Sequence, residues 1–164
     1  MRKVFFSFHY ANDINRAMVV RNGWVTQERV AAGFIDKAEF ESVKKTGTEA
    51  VHKWIDKQLE NTSVTVVLIG EETLKRPFVK YEICESIKKG NGLIGVFIHK
   101  VKDMKTKETS LKGNAHSVIG QYSDGSSAYF DVVCDGLYDY IEDNGYDNLG
   151  KWIEKAAKAH NRKF

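Results

Sequence analysis

The feature that most constrains the fold of this chain is a regular alternation of short apolar runs with longer amphipathic segments. The apolar runs predict four strands: Val4–Phe8, Ala31–Ile35, Val64–Ile69 and Leu93–Ile98. The segments between them predict helices over 13–29, Gly47–Leu59 and Pro77–Lys89. Nearly continuous Val, Ile and Leu runs are typical of strands that are covered on both faces. The pattern therefore predicts an α/β fold, a single domain with a doubly wound, mainly parallel central sheet.

The regular alternation ends after residue 98. Residues 99–126 are rich in Lys, Gly, Ser, Thr and Asn without a clear period, which predicts an irregular loop. A last strand is predicted at Ala128–Val133, and a terminal helix follows with apolar residues at core-face spacing: Leu149, Trp152, Ile153 and Ala156. We expect one domain over 1–164, with these parts: a core of 3–98 and 127–156 and a basic tail of 157–164.

Composition narrows the classes of partner. The chain has 164 residues and a net charge of +3, from 25 basic and 22 acidic residues that are scattered along it. So small and dispersed an excess does not predict nucleic-acid binding. No apolar run approaches the ~20 residues of a transmembrane helix, so we expect no membrane partner. Cys84 and Cys134 show neither metal-ligand spacing nor a disulfide framework, which predicts reduced thiols, no metal site and a cytoplasmic location.

Ligands of open parallel sheets bind in the crevice at the carboxyl ends of the strands. The residues at the four predicted strand ends are Ser7, Phe8, His9, Tyr10, Asp36, Lys37, Gly70, Glu71, Glu72 and His99. Side chains for binding or chemistry are expected among them.

The predicted helix 77–89 contributes a carboxylate to the same edge. Pro77 suits the first helical position, and the apolar stripe consists of Val79, Ile83 and Ile87. On a helical wheel Glu82 lies roughly 100° from the centre of that stripe, whereas Glu85 lies roughly 160° away. Glu85 is therefore predicted to face solvent and to pair with Lys89. Position favours a structural role for Glu82 at the core margin, with chemistry as the alternative.

The same residues resemble a known family. Phe5–Tyr10 resembles the opening strand of TIR domains, and Phe78–Glu82 is similar to their aromatic–x–x–x–Glu signature. The resemblance is closer to the TIR-like family of flavodoxin-type domains that includes the TIR partner of Thoeris anti-phage defence systems. Five stretches carry it in the correct order: Val4–Tyr10, Val19–Thr26, Ala31–Asp36, Asn61–Gly70 and Tyr81–Asn91.

The resemblance implies an enzyme that removes nicotinamide from NAD⁺ and closes the ADP-ribose into a cyclic signal for a separate effector protein. It implies that Glu82 is the catalytic residue. It places Ser7, Phe8, His9 and Asp36 in the nucleotide pocket. Two further candidate substrate contacts are Arg76, which precedes the predicted helix N-terminus, and Phe78, the aromatic residue of the signature. NAD⁺ would be the substrate, with no resident cofactor, and self-association is expected because TIR enzymes often complete their sites between subunits. The chain departs from the wider pattern at Phe78, where tryptophan is common, and at Lys75-Arg76, where small hydroxyl residues are common.

The chemistry of NAD⁺ cleavage suits a single carboxylate. Nicotinamide is cationic in NAD⁺ and leaves without a general acid, so the remaining requirement is to stabilise an oxocarbenium-like ribose. A carboxylate at the margin of the core supplies that stabilisation when it is ionised. We therefore expect a modest shift in the pKa of Glu82.

Several candidates have a structural interpretation as well. His9 either orients a ribose or phosphate or closes the first strand, and both interpretations stay open. Asp36 is slightly favoured as a turn residue, and Ser7 as a packed, hydrogen-bonded strand serine. Lys75 and Arg76 precede a helix N-terminus that attracts anions, although a solvated pair is the favoured interpretation.

Two other classes of function compete with the enzyme. In a non-catalytic TIR interaction module, a loop predicted at 37–46 would be the main contact in self- or hetero-assembly. A receiver-like phosphoacceptor shares the layering but needs an aspartate after the third strand, where this chain has Gly70-Glu71-Glu72. The phosphoacceptor therefore ranks last, and a nucleotide-sugar transferase would be a variant of the enzyme in which a different group attacks the ribose.

Overall fold

The computed structural model describes residues 2–25, 30–33 and 37–159. Strands in these ranges are β1 (Lys3–Ser7), β2 (Val30–Ala32), β3 (Thr62–Ile69), β4 (Gly92–Phe97), β5 (Val118–Gln121), β6 (Ser127–Tyr129) and β7 (Gly136–Asp139). Helices in the same ranges are α1 (Tyr10–Val25), α2 (Lys37–Thr46), α3 (Thr48–Leu59), α4 (Pro77–Lys89), α5 (Phe130–Val133) and α6 (Gly145–Ala157). A single 3₁₀ turn covers Thr73–Lys75.

Five of the described strands form one parallel sheet in the order β2-β1-β3-β4-β7, and β5 and β6 form a separate antiparallel pair. This order is that of the flavodoxin-like doubly wound sheet, so the predicted fold class is confirmed. The direction of winding reverses between β1 and β3. A crevice therefore opens at the carboxyl ends of these two strands, where such folds bind ligands.

The two faces of the sheet are covered by different helices, because successive strand side chains point to opposite faces. On one face, Val4 and Phe6 of β1 pack with residues of α1 and α6. On the other face, Phe5 packs against α3, and the last residues of β3 pack against α4. The three tryptophans, Trp24, Trp54 and Trp152, all pack in or against these clusters.

The second half of the chain differs from the prediction. The predicted strand over 128–133 is wrong beyond residue 129, because α5 is a helical turn that buries Phe130 and Val133 at i, i+3 spacing. The fifth strand of the sheet is instead β7, and the predicted irregular loop contains β5. The predicted terminal helix is confirmed as α6.

The first half follows the prediction more closely. The first helix begins at Tyr10, three residues before the predicted start, because its first turn forms around the carbonyl of His9, which accepts from the N–H of Asp13 at 2.9 Å. The predicted loop over 37–46 is wrong, since it forms α2. None of the described helices combines the length and apolar character needed to cross a membrane.

Candidate active site

Helix α4 positions the predicted catalytic residue at the crevice. The helix begins at Pro77, whose fixed φ and missing N–H suit the first helical position, and it ends before Gly90, which adopts the left-handed φ of 87°. Its apolar stripe is buried as predicted: Val79, Ile83 and Ile87. Glu82 is buried more deeply than a position at the core margin predicts, since only 8% of the residue is exposed.

Glu82 lines a cavity of about 330 Å³ between the end of β1, the start of α4 and the helices α2 and α3. The lining residues are Phe8, His9, Tyr10, Ala11, Lys44, Thr48, His52, Arg76, Pro77, Phe78, Val79 and Glu82. A smaller cavity of about 30 Å³, lined in part by Phe8, Tyr10, Gly33 and Trp54, also reaches Glu82. Within the described lining of the larger cavity, Glu82 is the only acidic residue.

The Glu82 carboxyl group lies in an environment that favours its neutral form. Burial raises its pKa to about 8, and the nearby Ser7 hydroxyl opposes this shift only in part. No cation among the described residues forms an ion pair with it. The expectation of a modest shift in the Glu82 pKa is therefore wrong, because removal from water disfavours the charged carboxylate and no cation among the described residues pairs with it.

Ser7 lies at the end of β1, beside Glu82. It is fully buried, and its Oγ has no hydrogen-bond partner of standard geometry within the described residues. The predicted packing of this serine is confirmed. A buried hydroxyl group without a hydrogen bond of standard geometry destabilises the fold. It is close enough to Glu82 to favour the ionised carboxylate.

His9 contributes a neutral imidazole to the cavity wall. Burial lowers its pKa and the positive charge of Arg76 lowers it further, while Glu72 opposes this shift and Lys44 adds the weakest lowering effect. Its Nδ1 atom is buried and has no hydrogen-bond partner in the part of the chain that the structure describes. His9 therefore lines the cavity, while its Nδ1 is a buried polar atom without a hydrogen-bond partner among the described residues.

An aromatic wall faces the start of α4. The ring of His52 stacks on Tyr81 with centroids 3.7 Å apart and planes 4° from parallel, and it meets Phe78 edge-on at 6.2 Å. The Tyr81 hydroxyl donates to Asp56 Oδ1 at 2.9 Å. These contacts join α3 to α4 and fix the position of Phe78 beside the cavity.

Sequence reasoning missed three polar lining residues, Lys44, Thr48 and His52. They come from the segment that was predicted as a loop and from the polar flank of the next helix. A signal was present for two of them, because Thr48, His52 and Asp56 recur every four residues beside the apolar face of α3. That spacing alone does not show what the stripe faces.

The predicted substrate contacts have separate outcomes. Phe8, His9, Arg76 and Phe78 line the cavity together with Glu82. Ser7 lies behind them without lining it. Asp36 lies outside the described residues.

Nearby charged residues separate into two groups. Lys75 pairs with Glu72 at 3.1 Å in an exposed position, and Arg76 is exposed as well, so the predicted solvated role holds for both, although Arg76 also lines the cavity. Glu85 pairs with Lys88 at 3.0 Å. The predicted partner Lys89 instead donates to the carbonyl of Thr62 at 2.7 Å, since its position on the helix faces β3.

Comparison with known proteins gives two matches. The family model described as "Thoeris protein ThsB, TIR-like domain" matches residues 5–103, a range that contains every described residue lining the cavity. The chain is also similar to ThsB1 of Bacillus cereus (strain MSX-D12), whose name proposes that it is a cyclic ADP-D-ribose synthase. The two sequences are 35% identical over 189 aligned residues, which cover 93% of this chain and 98% of that protein.

Proposed function

Because the chain belongs to the TIR-like domain family of the Thoeris protein ThsB, we propose that it cleaves the nicotinamide–ribose bond of NAD⁺. The ADP-ribose is then closed into a cyclic product that serves as a signal in anti-phage defence. One observation carries the proposal: the buried carboxylate of Glu82, without a cation partner among the described residues, lies in the wall of a cavity of about 330 Å³.

The chemical step breaks the bond between C1′ of the ribose and the pyridinium nitrogen. The bonding electron pair moves onto nicotinamide, which leaves as a neutral molecule, so no proton is required. Positive charge develops on C1′ and the ring oxygen of the ribose, and an ionised Glu82 beside it stabilises that charge. NAD⁺ is consumed as a substrate and is not a resident cofactor.

Substrate charge and the Glu82 pKa are coupled. In the empty cavity the pKa of about 8 keeps most of the carboxyl group protonated at neutral pH. A cationic nicotinamide ring beside it favours the ionised form and lowers the pKa. The same burial that neutralises the empty site thus strengthens the attraction between carboxylate and substrate in the complex.

The cavity wall also affects which nucleophile attacks the ribosyl cation. Phe8, Tyr10, Phe78 and Val79 give the larger cavity an apolar lining. When a bound dinucleotide fills such a cavity and excludes water, a nucleophilic group of the same molecule attacks C1′ in place of water. Cyclisation then competes successfully with hydrolysis. Self-association of the chain and signalling to a separate effector protein are further parts of the proposal.

The test is a product assay by liquid chromatography and mass spectrometry. Purified protein is incubated with NAD⁺, with and without lysate from phage-infected cells, and compared with Glu82→Gln. Glu85→Gln is the matched control, because Glu85 lies one turn further along α4 and pairs with Lys88 at the surface.

We expect nicotinamide release and a cyclic product from the parent and from Glu85→Gln, and a rate at least ~10²-fold lower from Glu82→Gln. Equal rates for the parent and a folded Glu82→Gln would overturn the role of Glu82. Absence of nicotinamide release under every condition would favour a TIR interaction module instead.

A further inference from the structure

Two cations from different elements lie at the larger cavity. Lys44 belongs to the last turn of α2, and Arg76 directly precedes α4; both line the cavity, together with His9. The positive charges of both reach His9 and lower its pKa. Both side chains are exposed, and two cations that line one cavity can bind an anionic ligand together.

The end of α4 adds to this positive potential. Pro77, Phe78 and Val79, the first three residues of the helix, all line the cavity, and no side-chain capping hydrogen bond is made by the residue before them, Arg76. The N-terminus of a helix carries a partial positive charge. It reinforces the two side-chain cations.

The charges are arranged in a definite order along α4. Arg76 and Glu82 are six residues apart, which is about 9 Å along a helix axis. One cavity therefore has a carboxylate at one point and cations at another. NAD⁺ has the complementary order, with a cationic nicotinamide on the ribose and an anionic diphosphate on the 5′ side of the same ribose.

We propose that Lys44 and Arg76 form the subsite for the diphosphate of a dinucleotide whose nicotinamide ribose lies at Glu82. The inference rests on the proposed function. It adds one residue to the site, Lys44, which lies in α2, the segment that the sequence predicted to be a loop. The guanidinium of Arg76 binds phosphate oxygens through paired N–H groups, and the ammonium of Lys44 acts as a point charge.

The chain offers a matched control for each cation. Lys45 follows Lys44 in α2 but lies about 100° further round the helix and does not line the cavity. Lys75 precedes Arg76 but pairs with Glu72. Each control removes the same type of charge one residue away.

The first experiment measures binding without catalysis. ADP-ribose, which has the diphosphate but no nicotinamide, is titrated calorimetrically into the parent chain and the variants. We expect Lys44→Met and Arg76→Gln each to weaken binding about tenfold, while Lys45→Met and Lys75→Met stay within about twofold. Equal effects of Lys44→Met and Lys45→Met, or no binding by the parent chain, would overturn the subsite.

The second experiment separates the subsite from the proposed activity. Nicotinamide riboside has the same scissile bond as NAD⁺ and no phosphate. Lys44→Met and Arg76→Gln should raise the KM for NAD⁺ about tenfold and leave cleavage of nicotinamide riboside unchanged. If the parent binds ADP-ribose through both cations but cleaves neither compound, the proposed activity fails and the subsite stands. If both variants lose the same fraction of their activity on NAD⁺ and on nicotinamide riboside, the subsite fails and the proposed activity stands.

Discussion

Two of the carboxyl groups that are buried near the carboxyl edge of the sheet, those of Asp13 and Glu82, differ in what surrounds them. Asp13 and Glu82 are 2% and 8% exposed, and burial raises their pKa values to about 6 and about 8. Asp13 has an ion pair, since Arg16 Nη1 lies 3.7 Å from its Oδ1. Glu82 has a cavity on one side and no cation among the described residues.

Asn15 and Arg16, which lie near Asp13 in α1 and with it form the Asp13 region, bind the loop that follows β4. Arg16 donates to the carbonyl oxygens of Val101 at 2.8 Å and Glu108 at 2.9 Å, while Asn15 donates to the carboxylate of Asp103 at 3.1 Å. Burial of a carboxylate alone therefore does not identify a functional group. A buried carboxylate with a cation and no cavity stabilises structure, whereas one with a cavity and no cation is available to a cationic ligand.

The largest expected effect is on stability and falls on the Asp13 region. Arg16→Met leaves the Asp13 carboxylate buried without its cation and removes two hydrogen bonds from the loop, so we expect a loss of about 4 kcal/mol at pH 7. At pH 5, below the Asp13 pKa of about 6, Asp13 is mostly neutral and the loss should be smaller. Urea unfolding at both pH values measures this difference, and equal losses would contradict the structural role given to the ion pair.

Substitution of Glu82 is expected to increase the free energy of unfolding, whereas substitution of Arg16 decreases it. Its pKa rises from 4.5 to about 8 on folding, so the unfolded chain loses its proton first. The protein therefore loses stability as pH rises through this window. Glu82→Gln removes that penalty and should increase the free energy of unfolding by about 2 kcal/mol at pH 9, with little change at pH 4. A destabilised Glu82→Gln at pH 9 would show that Glu82, like Asp13, is held by a partner.

A glycine beside Asp13 provides a smaller test of the same packing. A Cβ atom at Gly70 would overlap the Asp13 carboxylate. Gly70→Ala should therefore displace that carboxylate from Arg16 and cost about 1.5 kcal/mol, which thermal unfolding would detect as a lower Tm. An unchanged Tm would mean that the Asp13 contacts are looser than the structure indicates.

These two regions also show what the sequence could predict. Apolar runs and one proline were enough to predict β1, β3, β4 and α4, because each has a clear period or a boundary residue. The Val-rich end of the predicted strand 128–133 was misleading, since its apolar residues also suit one helical turn. The true fifth strand, β7, has only four residues and contains a single aliphatic side chain, Leu137, so its pattern is weak.

The candidate site was also predicted only in part, because only some of its residues adjoin elements with a clear sequence pattern. Phe78 and Glu82 belong to α4, and Phe8, His9 and Arg76 directly follow β1 or precede α4. Because these elements have a strong sequence pattern, the positions of the five residues at one edge followed from the topology. Lys44 lies in a short polar helix, and its approach to the cavity depends on how α2 and α3 pack. The ion pair of Asp13 and Arg16 has helical spacing in the sequence, but its burial depends on a loop almost ninety residues away, as shown by the separation of 85 between Arg16 and Val101.

The smallest expected effect concerns the neighbour of Glu82. The Ser7 hydroxyl lowers the Glu82 pKa, so Ser7→Ala should raise that pKa further and reduce kcat/KM for NAD⁺ a few-fold at pH 7. The fold should not lose stability, because Ser7 Oγ has no standard hydrogen-bond partner in the described residues. Rates at pH 7 and pH 9 measure the effect, and an equal loss at both would point to a role other than tuning the pKa.

The most direct test of the account is the dependence of kcat/KM for NAD⁺ on pH, because this ratio reports ionisation in the free protein. If ionised Glu82 performs the cleavage, kcat/KM should rise about tenfold per pH unit below the Glu82 pKa of about 8 and level off above it. A profile that stays flat from about pH 5 to pH 9 would contradict the claim that this buried carboxylate must lose its proton for NAD⁺ to be cleaved.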